Sequence, residues 1–82
     1  MLPPEQSPNG HSADVKMWMV IEQRTIPLAQ MAPDFVILQE PQQIPPCRVD
    51  MFLSIDGHLE NWPAHLPQGV QPHLERTPIA RI

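Results

Sequence analysis

An all-β fold is predicted for this chain: a small antiparallel sheet or partial barrel of about five to six short strands. Three observations predict it. Twelve prolines are spread over 82 residues, so beyond Val15 hardly any long segment is free of proline, and a proline inside a helix costs roughly 3 kcal/mol. Apolar and polar residues alternate over stretches of strand length. Between two such stretches sits Asp56-Gly57, the favoured pair for a type I′ turn, whose two central residues both need positive φ.

Residues Met1 to Asp14 are rich in Pro, Ser, Asn and Gly and read as a flexible solvated tail. Residues 15–82 form a single small β domain. Its first strand is "VKMWMVIEQ", Val15 to Gln23. Val15, Met17, Met19 and Ile21 share an apolar face, and Lys16, Trp18, Val20 and Glu22 a mixed one. "EQRT" is a tight turn without Gly or Asn, which leaves its type open. "TIPLAQM" is the second strand. Pro27 has no N–H for a ladder, so this strand is expected at an edge, or irregular there. "APDF" is a turn. "FVILQ", Phe35 to Gln39, is an apolar run suited to burial on both faces. "EPQQIPP", Glu40 to Pro46, is a polyproline-like connection.

The Asp56-Gly57 turn then sets a register. Ile55 faces His58, Leu53 faces Glu60, Met51 faces Trp62, Val49 faces Ala64 and Cys47 faces Leu66. That face is apolar except near the turn, so pattern and turn chemistry agree. Arg48, Asp50, Phe52 and Ser54 lie on the other face, with Leu59, Asn61, Pro63 and His65. Pro63 marks the second strand as an edge or a bulge. "PQGVQPHLERTPIARI" is a turn and an irregular connection, then a last strand, "TPIARI", pairing within the chain or with a second copy.

Composition narrows the function. The net charge is −4, and the five Lys and Arg form no stripe, which argues against a nucleic-acid partner. No stretch approaches the roughly 20 apolar residues of a membrane helix. The N-terminus lacks the basic flank and apolar run of a signal peptide. The single cysteine allows no intramolecular disulfide. A cytoplasmic protein is expected. A chain of this size buries only about 60–65% of its unfolded surface, and self-association is a common remedy.

No motif carries catalysis. His58 and His65 alternate onto opposite faces of one strand, His11 lies in the tail and His73 in a loop, and no H-E-x-x-H spacing occurs. Cys47 joins the apolar face opposite Leu66 as a packed thiol, with no base beside it. The carboxylates show no acid–base pairing, and Asp56 is accounted for by the turn. No phosphate loop, dinucleotide fingerprint or calcium loop occurs. Catalytic, cofactor and metal residues are therefore none. Trp18, on the mixed face with Lys16 and Glu22, reads first as a core residue and otherwise as an exposed anchor; if exposed, it is the interface candidate, with Lys16 and Phe52, because Trp is enriched in binding hot spots.

Two stretches, "IPLAQMAPDFVILQEP" and "DMFLSIDGHLENWPAHLPQGV", resemble a type of short uncharacterised bacterial protein: a strand with P-L-A-Q, a P-D-F turn, a Pro-rich connection and an I-D-G hairpin ending in L-P-x-G. The resemblance covers about half the chain and implies an all-β fold with no assigned activity. The same order is similar to the later strands of PilZ domains, β-barrels that bind a cyclic dinucleotide. That family's Arg-x-x-x-Arg stretch and Asp/Asn-x-Ser-x-x-Gly motif are missing. The upstream arginine is Arg24 alone, and "PLAQMAP" stands where the second motif belongs, so no functional residue carries over.

The expectation is a non-enzymatic protein-interaction or assembly module, paired with itself or another protein. The alternative is a small-ligand-binding β module. Trp18, Trp62, His58 and Arg48 are its candidates, although the register separates Arg48 from Trp62.

Overall fold

A computed structural model describes residues 13–82; residues 1–12 of the expected tail lie outside them. Seven β-segments follow in order: β1 Val15–Ile21, β2 Arg24–Met31, β3 Phe35–Leu38, β4 Cys47–Ile55, β5 His58–Leu66, β6 Thr77–Pro78 and β7 Ala80–Arg81. They form one antiparallel sheet in the order β6-β3-β2-β1-β4-β5-β7. No helix occurs among the described residues.

The two edge segments explain the architecture. β6 pairs with β3, and β7 pairs with β5. Ile79 alone separates them. The C-terminal stretch is thus one strand in two halves, each half joined to an opposite edge, and it nearly closes the sheet into a barrel. "TPIARI" pairs within the chain.

The β4–β5 hairpin follows from turn chemistry. Asp56 and Gly57 have φ of 51° and 82°, as the type I′ turn requires, and the β4–β5 register runs unbroken from Ile55↔His58 to Cys47↔Leu66. The hairpin is latched to the start of the barrel. Asp14 N–H donates to Asp56 Oδ1 at 2.8 Å, and Asp56 N–H donates to the Asp14 carbonyl at 2.8 Å. Asp14, which composition places in the tail, is therefore held at the turn.

The β1–β2 turn is similar but made from less suitable residues. β1 ends at Ile21, and Glu22 and Gln23 take φ of 48° and 72°. Left-handed backbone strains residues that carry a Cβ. The double substitution Glu22→Asn, Gln23→Gly is expected to stabilise the fold by about 1 kcal/mol, read as a higher urea midpoint with unchanged slope.

Pro27 corrects an expectation. β2 is an interior strand, flanked by β1 and β3. Counting from the two-residue turn, Ile21↔Arg24 is a hydrogen-bonded pair and Trp18↔Pro27 falls at a non-hydrogen-bonded position. The missing N–H is therefore not needed by β1. On the other side, the Pro27 carbonyl accepts from Gln39 N–H at 3.3 Å. The irregularity lies beyond it, as a register shift between Leu28 and Gln30. Pro63 has the same phase. It pairs with Asp50 at a non-hydrogen-bonded position of an unbulged ladder, and β7 covers β5 only at Ala64 and His65.

The interior is filled from every strand except the shortest. Met19, Val36, Val49, Met51, Ala64 and Leu66 are fully enclosed, with Ile21, Ile26, Leu28 and Ile79 around them. Two further core residues come from connections. Ile44 and Val70 form an isolated antiparallel bridge. Ile44 N–H donates to the Val70 carbonyl at 2.9 Å and Val70 N–H to the Ile44 carbonyl at 2.7 Å. The stretch Glu40–Pro46 is thus more than a connection, because it delivers a core side chain. β3 departs from burial on both faces. Val36 is buried, while Phe35, Ile37 and Leu38 are half-buried, and the Arg76 guanidinium covers the Phe35 ring at 4.6 Å.

Candidate functional site

Alternation along β1 and β4 sends Met17, Met19, Met51 and Leu53 inward, and Lys16, Trp18, Val20, Asp50, Phe52 and Ser54 outward. The outward set would be scattered but for one pairing. β1 lies antiparallel to β4, with Trp18 opposite Phe52 and Lys16 opposite Ser54. The Trp18 and Phe52 rings stack with centroids 5.4 Å apart and planes within 2°. Offset stacking of this kind contributes about 0.5–1.5 kcal/mol beyond buried area. Pro27 lies on one side of this pair and Asn61 on the other, so a four-residue row crosses the outside of the barrel.

The three interface candidates thus come together on one outer face. Trp18 and Phe52 are half-buried, and Lys16 is exposed one row away. Pro27, Asn61 and Pro63 extend that face and were not singled out as candidates. For Asn61 and Pro63 the hairpin register already placed them on the side of Phe52. Pro27 joins only through the β1–β2 register.

The candidates for a shared pocket are not brought together. Trp18 and Arg48 point outward, whereas Trp62 and His58 belong to the inward rows. Trp62 is half-buried at the barrel rim, and the Arg81 guanidinium covers it at 5.0 Å from the ring centroid. His58 and His65 are on opposite faces, because no register shift interrupts β5. Among the described residues, no three His, Cys, Asp or Glu side chains gather as a metal site would need. Two surface grooves flank the Ile44–Val70 bridge, and one of about 410 Å³ runs between β3 and the connection around His73.

Cys47 is half-buried beside the core and opposite Leu66. Burial pushes its thiol pKa up, and the Glu22 carboxylate adds to the effect. Both causes favour the neutral thiol, the less reactive form.

No protein-family model, curated protein or solved structure matches the chain. Among the described residues, no helix is long and apolar enough to cross a membrane.

Proposed function

We propose that this protein is a non-enzymatic interaction module that binds another protein through the outer face of β1 and β4. The observation that carries the reading is the Trp18–Phe52 stack, displayed half-exposed on the outside of the barrel. An aromatic pair there is already held in place by the sheet, so a partner would lose little side-chain entropy in ordering it. Lys16, Asp50 and Asn61 border the pair and supply polar contacts around an apolar centre, the usual anatomy of a binding patch. The protonated, packed Cys47 supports a non-catalytic reading. So does the filled barrel interior, which leaves the outer surface for recognition.

Native mass spectrometry of the protein isolated from its own cells tests this. A complex with a second protein is expected for the unaltered chain. Trp18→Thr and Phe52→Thr should lose the partner mass while keeping a normal β circular-dichroism spectrum, because threonine favours strands. Retention of the partner by both variants would overturn the assignment to this face.

A further inference from the structure

β5 has a free edge. From Ala64 onward its outer side is covered by β7, and the Pro63 carbonyl accepts from Ile82 N–H at 3.5 Å. From His58 to Trp62 no described strand lies beside it. The phase of the hairpin decides which backbone groups point outward there. Ile55↔His58, Leu53↔Glu60 and Met51↔Trp62 are the hydrogen-bonded pairs with β4. The N–H and C=O of Leu59 and Asn61 therefore face away from β4 along the open side.

This stretch has one of the usual safeguards of an exposed edge, the charged Glu60 on its inward row, and lacks others. It contains no proline, lysine or bulge. Leu59 within it is 52% exposed. We infer that the free edge of β5 pairs with the same edge of a second copy, antiparallel and about a two-fold axis through Leu59, joining two barrels into one continuous sheet. This goes beyond the proposed outer-face function and uses the backbone edge of β5, sharing only Asn61 with that face.

Three registers would place outward groups against outward groups. An axis at Asn61 sends His58 of the second copy against Ala64, where β7 already lies. An axis at Glu60 sets the two Glu60 carboxylates directly opposite each other, which is destabilising. The axis at Leu59 avoids both. It joins the two Leu59 residues through a pair of backbone hydrogen bonds and sets His58 of each copy opposite Glu60 of the other. This imidazole–carboxylate contact occurs twice, and the two Leu59 side chains meet on the outer face.

Pro63 supplies the means of testing it. A proline at that phase is already accepted by the β4–β5 ladder, because its absent N–H points away from β4. Leu59→Pro and Asn61→Pro place the same lesion at the same phase, on the free edge. By sedimentation equilibrium, the unaltered chain is expected at twice its 9.3 kDa mass, and both proline variants at the single mass with a retained β spectrum. His58→Glu should weaken the dimer at least tenfold, and His58→Glu with Glu60→Lys should restore it. Neither charge change depends on the proline variants folding. A monomer at concentrations on the order of 100 μM, a weak-interaction range, would overturn the inference. So would proline variants that both remain dimeric, or a charge exchange that restores nothing. Trp18→Thr should leave this dimer intact, so failure of the outer-face assignment and failure of the edge assignment are read separately.

Discussion

Gly69→Ala is expected to destabilise the protein by about 3–5 kcal/mol, a large share of the stability of a domain this small. Gly69 has φ of +65°, a region in which a side chain is strained. A Cβ there would overlap the Ile44 carbonyl oxygen and would sit 2.8 Å from the Pro45 carbonyl carbon and 2.9 Å from the Pro46 nitrogen. All three are backbone atoms, so no side chain can turn aside. The Ile44 carbonyl is also the acceptor of Val70 N–H at 2.7 Å. Moving it breaks the bridge and unseats two core residues together. Gly57→Ala is the control. Its φ is +82° with nothing within 4 Å of the added Cβ, so it should cost only the conformational part, about 1 kcal/mol. Urea unfolding of both variants separates steric contact from left-handed strain. Equal losses would refute the steric account.

Met51→Ala should have the second largest effect, a loss of about 2–5 kcal/mol. Met51 is fully enclosed and lies at the centre of the sheet, with Met19 opposite it on β1 and Trp62 opposite it on β5. Removing its thioether leaves a void bounded by three strands that are tied to one another by backbone ladders and cannot close around it. Leu53→Ala, on the same inward row, provides contrast. Leu53 is half-buried at the end where β2 has already left β1, so water can fill the gap and the loss should be about 1–2 kcal/mol. Thermal and urea midpoints check both. A Met51→Ala loss no greater than that of Leu53→Ala would mean that the barrel core repacks freely.

The parts of this fold that were legible in the sequence are those decided by neighbouring residues. Asp56-Gly57 specifies one turn, the turn specifies the phase, and the phase sorted all nine pairs of β4 and β5 correctly. The division of β1 into an apolar and a mixed face came from the same alternation, and it put Trp18, Lys16 and Phe52 on outward rows. Their meeting was not legible. It depends on β1 lying beside β4, a pairing between strands distant in sequence that no local signal sets. The same limit hid Ile44. A single apolar residue among prolines carries no periodicity, and its burial is decided by Val70, far along the chain. Pro27 misled for a different reason. A proline reads as a mark of an edge or an irregularity, whereas what matters is which neighbour its missing N–H would have faced.

The shared closing strand also sets an order of events. Phe35 and Pro78 are 43 positions apart (78 − 35 = 43), so β6 can dock only after a long loop has been closed, at an entropic cost that local hairpins avoid. The β4–β5 hairpin needs no such closure, and its nine-residue strands can register early. β6 and β7 are two residues each and hold the seam by few bonds, so the seam should open long before the rest unfolds. In hydrogen exchange, Ile79 N–H, bonded to the Asp34 carbonyl at 3.0 Å, would report that opening. The barrel thus behaves in time as a stable open sheet with a clasp.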